Sequence, residues 1–197
     1  MLDNSETPSS KSENETPKEI RTSGEYKNET EACSAFDEIM EMGKRIGAVD
    51  KYFREVKGRY EGVLAINATP GVYPKVDRIV FPGKELIKAG WPHGPFSVEI
   101  KCSGMKVGPV VNQAIDYSLS LFQVYEGYWI RPEWTFIFPL QSYGGDLESI
   151  MANHRIGSAY INKYGIRFRA GSCSPMAFGS NSIEGKRIPC GNKMGSR

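Results

Sequence analysis

The segment of residues 96–102 reads Phe-Ser-Val-Glu-Ile-Lys-Cys and alternates strictly between two kinds of side chain. Successive side chains of a β-strand point to opposite faces of a sheet, so the alternation predicts a half-buried strand with one apolar face. The other face would carry the Glu99 carboxylate beside the Lys101 ammonium. Packing does not require that pair, whereas a site that binds a divalent cation and stabilises developing negative charge does. We therefore place a candidate functional site on this strand.

The composition indicates one folded domain between two tails. The chain has 197 residues, of which 40% are hydrophobic and 24% charged, which excludes a wholly disordered protein. Residues 1–28 contain almost no apolar side chains, and residues 171–197 are rich in glycine, serine and basic residues. We expect a disordered polar tail over residues 1–28, a domain over residues 29–170 and a flexible tail over residues 171–197.

The N-terminus is polar and lacks the apolar core of a signal peptide, and no run resembles a membrane-spanning helix. We therefore expect a soluble, cytoplasmic protein. The cysteines are widely spaced and form no Cys-x-x-Cys pair, so we expect reduced thiols rather than a zinc site or a disulfide framework. These cysteines are Cys33, Cys102, Cys173 and Cys190.

Hydrophobic periodicity and turn residues predict alternating helices and strands. The predicted elements are a helix over residues 30–56, strands over 60–67 and 76–81, the strand over 96–102, a helix from Gly108 that ends before Gly127, a strand over 134–140, a helix over 146–160 and a strand over 166–170. Residues 84–95 are predicted as a loop or hairpin extension. The order α-β-β-β-α-β-α-β predicts an α/β domain with a mixed sheet flanked by helices.

The Glu-x-Lys triplet alone is a weak signal, because it also occurs at residues 25–27, 55–57 and 184–186. Only the triplet at Glu99 lies in an alternating strand and follows an acid on a neighbouring predicted strand, Asp77. Gln113 and Tyr117 then form a Gln-x-x-x-Tyr motif, whose i and i+4 positions share one helix face. The apolar stripe predicted for that helix lies elsewhere, so packing does not explain the motif. That stripe is Val111, Ile115, Ser118, Leu119 and Phe122.

The sequence Pro-x-x-Asp, then Glu-x-Lys, then a helix with Gln-x-x-x-Tyr resembles the PD-(D/E)XK nuclease superfamily, and within it the RecB and lambda-exonuclease branch. The resemblance covers roughly residues 30–140 and implies a restriction-endonuclease-like core. Some members hold an iron–sulfur cluster with three cysteines after the core. Only Cys173 and Cys190 follow it here, so we expect no cluster.

The resemblance implies a role for each motif residue. Asp77, Glu99 and the backbone carbonyl of Ile100 would bind Mg²⁺ or Mn²⁺. Lys101 would position or deprotonate the attacking water, or stabilise negative charge. Gln113 and Tyr117 would position the strand or the substrate. For the acid that many members carry on the first helix, Glu41 is the first candidate and Glu55 the second.

The expected function is metal-dependent hydrolysis of phosphodiester bonds in DNA, in phage or mobile-element replication, recombination or defence. Two alternatives stay open: a catalytically inactive nuclease-fold module that binds nucleic acid or protein, and an unrelated α/β enzyme that uses Asp77 and Glu99 as an acid–base pair. The aromatic residues Tyr128, Trp129 and Trp134 are interpreted as core and edge-strand residues, with a base-stacking platform as the alternative.

Overall fold

The computed structural model describes residues 26–62, 69, 71–102, 106–141, 146–170, 176–179 and 183–184. Its helices are α1 (Glu29–Arg45), α2 (Lys84–Lys88), α3 (Val107–Ser118) and α4 (Asp146–Asn153). Its strands are β1 (Val49–Arg59), β2 (Lys75–Pro82), β3 (Phe96–Ile100), β4 (Leu121–Tyr125), β5 (Tyr128–Ile130), β6 (Trp134–Phe138), β7 (Ile156–Asn162), β8 (Gly165–Arg169), β9 (Met176–Phe178) and β10 (Ile183–Glu184).

The strands of the described residues form one mixed sheet in the order β10-β9-β8-β7-β6-β3-β2-β1-β4-β5. Strands β1, β2 and β3 form an antiparallel meander, and β6 then pairs in parallel with β3 and β7 in parallel with β6. Parallel neighbours require a crossover connection, which α3 and α4 supply. The predicted α/β class and mixed sheet are confirmed.

Helices cover both faces of the central strands. On one face α1 packs through Phe36 and Met40 against a core that contains Phe96, Val98 and Phe136. On the other face α3 contributes to a second cluster, formed with β6, α4 and β7. All five residues of β3 are consequently buried. The prediction of a half-buried strand is therefore wrong, because β3 lies in the middle of the sheet, with α1 packed on one face and α3 on the neighbouring strands β6 and β7 at the other face.

The first predicted helix is too long. Helix α1 ends at Arg45, Gly47 adopts a positive φ of 74°, and residues from Val49 onward form β1. A β-bulge between Val49 and Lys51 interrupts the alternation of β1 and produces apolar spacings that resemble a helix. Of the strand predicted over residues 60–67, residues 60–62 are not in a strand, because β1 ends at Arg59, and residues 63–67 lie outside the described part.

Three helices also differ from prediction. Lys84–Lys88 forms a short helix rather than a loop, and α3 ends at Ser118, so that Phe122 belongs to the β4–β5 hairpin. Helix α4 ends at Asn153, and residues predicted as its second half form β7. Gly157 is required within β7, because a Cβ atom there would lie 2.5 Å from both the Arg169 carbonyl oxygen and the Phe136 ring. Only glycine allows these strands to approach so closely.

The packed structure extends beyond residues 29–170. Tyr26 is buried, and its ring lies 5.7 Å from that of Phe138. Phe178 of β9 is also buried in the main core. Both residues lie in segments predicted as tails, and burying their rings offsets the entropy of ordering the chain. Residues 1–25, 171–175, 180–182 and 185–197 lie outside the described part.

Cys33 and Cys102 are free thiols, while Cys173 and Cys190 fall outside the described residues. Among the described helices, none is long and apolar enough to cross a membrane.

Candidate functional site

Asp77 and Glu99 meet between adjacent strands. The antiparallel register pairs Arg78 with Val98 and Ile79 with Ser97, and its continuation places Asp77 opposite Glu99. The Asp77 carboxylate also accepts a hydrogen bond of 2.6 Å from the backbone N–H of Ile100. This bond links the end of β3 to β2. The structure thus brings together the three positions that the resemblance assigns to metal binding.

Lys101 lies beside the two carboxylates. Its ammonium contacts Glu99 Oε1, and its backbone N–H donates to the Phe138 carbonyl oxygen at 2.7 Å. Burial lowers the pKa of Lys101, but its hydrogen bond to Glu99 and the negative charges of Glu99 and Asp77 outweigh that effect and leave the pKa raised. The ammonium therefore remains charged at neutral pH, next to the carboxylates.

Glu99 is a buried acid with an unsatisfied oxygen. The residue is 1% exposed, and its Oε2 atom has no hydrogen-bond partner among the described residues. Burial raises the pKa of Glu99 to about 8, and the charge of Asp77 raises it as well, whereas Lys101 opposes the shift. Two carboxylates forced together in this way either share a proton or bind a cation. An unsatisfied carboxylate oxygen at this position fits a divalent cation.

The raised pKa makes stability depend on pH in a predictable direction. In the unfolded chain the Glu99 carboxyl titrates near its ordinary pKa of 4.5, and in the metal-free folded protein near 8. Between these values the folded state binds more protons than the unfolded state. We therefore expect the free energy of unfolding to fall as pH rises from 5 to 8. Glu99→Gln removes this titrating group.

We expect the Glu99→Gln variant to match the wild type near pH 5 and to exceed it at pH 8 by on the order of a few kcal/mol. Urea unfolding in EDTA at both pH values measures the difference. Replacing the exposed Glu126 with glutamine controls for general effects of charge removal. A Glu99→Gln difference that is the same at both pH values would contradict the buried, proton-binding carboxyl.

Gln113 and Tyr117 form a chain of hydrogen bonds to β2. Gln113 Nε2 donates to the Tyr117 hydroxyl at 2.6 Å, and that hydroxyl donates to the Lys75 carbonyl oxygen at 2.6 Å. Burial raises the pKa of Tyr117, and the nearby charge of Glu99 raises it further, so the phenol stays protonated. The motif therefore lies close to Glu99 and holds the start of β2, two residues before Asp77.

The expectation that packing does not explain the motif is wrong for Tyr117. Its side chain is buried and packs against Phe122, with ring centroids 5.8 Å apart. The buried positions of α3 are Val110, Val111, Ala114 and Tyr117 rather than the predicted stripe. The predicted apolar face of α3 is wrong because the helix ends at Ser118 and because both Val110 and Tyr117 face the sheet. Tyr117 thus serves the core and the hydrogen-bond chain together.

A network of arginine and aspartate side chains links α1 to the backbone of Asp77. Arg78 donates to both carboxylate oxygens of Asp37 on α1, at 2.7 and 2.9 Å, and to the Asp77 carbonyl oxygen at 2.7 Å. Arg54 of β1 also contacts Asp37, at 3.1 Å. The network connects α1 to the strand that carries Asp77. The pairing of Asp37 with Arg78 is not predictable from a local motif, because 41 residues separate the two. The available signal in the sequence is the charged Arg78 within the apolar run of β2.

Neither predicted first-helix acid joins the carboxylates. Glu41 is 55% exposed and pairs with Lys44 one turn away, and Glu55 lies on β1 rather than on a helix and pairs with Lys75. The acid of α1 whose charge does act on the site is Glu29, which helps to raise the pKa of Lys101. Glu29 lies in the first helical turn, directly after the segment predicted as a disordered tail.

Within the described residues, no group of three or more His, Cys, Asp or Glu side chains is arranged to hold a metal ion. The candidate ligands are two carboxylates and a backbone carbonyl, so they include only two side chains and do not form a group of three. No family model matches the chain, and no curated protein or solved structure matches it.

Proposed function

We propose that the protein is a divalent-metal-dependent nuclease that hydrolyses phosphodiester bonds in DNA. The observation that carries the proposal is the meeting of Asp77 and Glu99 at a buried, unsatisfied carboxylate oxygen with the Lys101 ammonium alongside. A buried acid pair and an adjacent cation cost stability, so their arrangement indicates a functional rather than a packing role.

The order of the elements supports the proposal. Helix α1, the antiparallel strands β1, β2 and β3, helix α3 and the parallel strand β6 occur in the order that the resemblance implies, with the short helix α2 inserted before β3 and the β4–β5 hairpin inserted before β6. In this arrangement Asp77 lies on the second strand, Glu99 and Ile100 end the third strand, and Lys101 follows directly after it. This order of elements supports the resemblance that the motifs carry.

The residues have chemistry suited to the reaction. Carboxylate oxygens of Asp77 and Glu99, with the Ile100 carbonyl, are hard donors of the kind that Mg²⁺ or Mn²⁺ prefers. When bound, such an ion lowers the pKa of a water molecule and shields phosphate charge. Lys101 would orient or deprotonate that water or stabilise charge in the transition state. Gln113 and Tyr117 would keep β2 in position.

Purified protein should cleave DNA with Mg²⁺ or Mn²⁺ and not with EDTA. Incubation with labelled single-stranded and double-stranded DNA, followed by gel analysis of the products, measures this. Restoring excess Mn²⁺ to the EDTA-treated protein should restore cleavage, which separates metal dependence from irreversible inactivation. Cleavage that proceeds unchanged in EDTA would contradict the proposal.

A catalytically inactive nucleic-acid-binding or protein-interaction module is the alternative. This alternative predicts no cleavage with any divalent ion. It also predicts that nucleic-acid binding, if present, is indifferent to Glu99→Ala.

A further inference from the structure

The segment before α1 lies against the end of β6. The Tyr26 side chain is buried, and its ring centroid lies 5.7 Å from that of Phe138, the last residue of β6. Phe36 of α1 packs on the same ring, edge to face, at 5.3 Å. Tyr26 belongs to no helix or strand. Ring packing therefore fixes this end of the described chain against the sheet.

Hydrogen bonds at the start of α1 fix the direction of this segment. The Asn28 side chain accepts a hydrogen bond of 2.9 Å from the Glu31 N–H, and the Glu31 carboxylate accepts one of 2.8 Å from the Lys27 N–H. Such reciprocal bonds cap a helix and set the angle at which the chain enters it. The cap holds Lys27, and thereby the adjacent Tyr26, in the orientation in which the ring reaches Phe138.

Phe138 in turn holds the backbone of Lys101. Strand β3 ends at Ile100 and β6 at Phe138, and these two residues pair in parallel register. The Lys101 N–H then donates to the Phe138 carbonyl oxygen at 2.7 Å, so this bond attaches Lys101 to the sheet just beyond the paired strands. The charge of Glu29 also contributes to the raised pKa of Lys101, so the first turn of α1 lies near the same lysine. These contacts form a continuous path from the Tyr26 ring to the candidate site.

We propose that Tyr26 is a positioning residue for Lys101. Its ring fixes the end of β6, and the Phe138 carbonyl oxygen then sets where Lys101 lies relative to Glu99. Groups that act on a reacting phosphate need to be held within about 0.5 Å of their productive positions, and they depend on packed neighbours for that. Tyr26 does not belong to the proposed ligand set, so it acts through Phe138. Its effect on cleavage rests on the proposed nuclease function, whereas its effect on the Lys101 backbone does not.

Amide hydrogen exchange, followed residue by residue by NMR in EDTA, tests the backbone effect. In Tyr26→Ala we expect the Lys101 amide to exchange at least about tenfold faster than in the wild type, because its bond to Phe138 opens more often. The Glu133 N–H is the internal reference, because it donates to the Pro95 carbonyl oxygen at 2.8 Å, at the opposite end of the β3–β6 pair. The ratio of the two exchange rates separates a local effect from global destabilisation, which would speed up both.

Single-turnover cleavage with saturating DNA and Mn²⁺ tests the effect on the reaction. Tyr26→Ala should lower the rate at least about tenfold, because a small displacement of the lysine weakens its action on the reacting phosphate. Tyr26→Phe should keep the wild-type rate because it retains the ring. Tyr26→Leu, which retains apolar bulk without a ring, should fall between the two in both measurements, and it replaces Tyr26→Ala should that variant fail to fold.

Phe178 provides the matched control. Its ring is buried in the same core, on β9, and packs on Phe168 with centroids 6.0 Å apart. Three strands, β8, β7 and β6, separate β9 from β3. Phe178→Ala therefore removes a comparable ring at a distance from Lys101. It should lower the thermal stability and leave both the exchange ratio and the cleavage rate unchanged.

An unchanged exchange ratio in Tyr26→Ala, an equal change in Phe178→Ala, or a loss in Tyr26→Phe as large as in Tyr26→Ala would each overturn the inference. Exchange needs neither metal nor cleavage, so the two proposals fail separately. A selective increase at the Lys101 amide in a protein that cuts no DNA would support the contact path and reject the nuclease. Wild-type cleavage by Tyr26→Ala would reject the positioning role and leave the nuclease proposal standing.

Discussion

Replacing Lys101 with alanine should reduce DNA cleavage by at least about a hundredfold while the protein stays folded. The Lys101 ammonium contacts Glu99 and is the cation nearest the paired carboxylates in the described contacts. Its removal takes away the group that would orient the water or stabilise transition-state charge. Because Lys101 is partly exposed, its truncation leaves no large cavity.

Single-turnover cleavage with saturating Mn²⁺ measures the effect on the chemical step. Glu99→Ala should cause a loss of similar size by removing a proposed ligand. Lys106→Ala is the matched control. Lys106 is exposed and lies just before α3, so this substitution removes an equal charge at a position close to Lys101 in the sequence. Thermal unfolding of each variant verifies the fold. Cleavage that survives both Lys101→Ala and Glu99→Ala would reject the assignment of the site.

Replacing Asp37 with alanine should lower the free energy of unfolding by about 3–5 kcal/mol. Arg78 is only 5% exposed and gives two hydrogen bonds to the Asp37 carboxylate. Without that carboxylate, the guanidinium remains buried without its counterion, and desolvated charge is costly. The same change should weaken cleavage, because Arg78 also holds the Asp77 carbonyl oxygen.

The chain contains a close counterpart for comparison. Glu61 contacts two arginines, Arg59 and Arg131, as Asp37 contacts Arg54 and Arg78, but both of its partners are about half exposed. Glu61→Ala should therefore cost less than about 1 kcal/mol. Urea unfolding of the two variants under identical conditions gives the comparison. Equal losses in both would show that burial of Arg78 does not determine the effect.

Sequence patterns located the central strand well because its alternation is unbroken. The strand that carries Asp77 was also predicted closely, since β2 covers the predicted residues 76–81 with one further residue at each end. Patterns failed where the backbone departs from regular geometry. In β1 the bulge after Val49 and the positive φ of Glu55 disrupt the two-residue period, and the apolar residues then match a helical spacing.

Burial was harder to predict than strand position. Glu99 and Ser97 were expected on a polar, open face, yet both are buried, on the sheet face where α3 packs against the neighbouring strands β6 and β7. The sequence of one strand contains no information about which elements lie above it. For the same reason Tyr117 was separated from the apolar face of its helix, although its ring packs in the core and its hydroxyl reaches β2.

Local sequence alone determined the α/β class, the alternating strand at Glu99 and Lys101, and the i, i+4 placement of Gln113 and Tyr117 on one helix. These features depend on short-range periods of two and 3.6 residues. The tertiary structure alone decided that Asp77 lies against Glu99, that Glu99 is buried with one unsatisfied oxygen, and that Asp37 pairs with Arg78. Such contacts arise from strand register and helix packing between residues far apart in the chain, so a local pattern cannot encode them. The pKa of Glu99 on β3 is therefore determined by residues that are close to it in space and distant in the sequence.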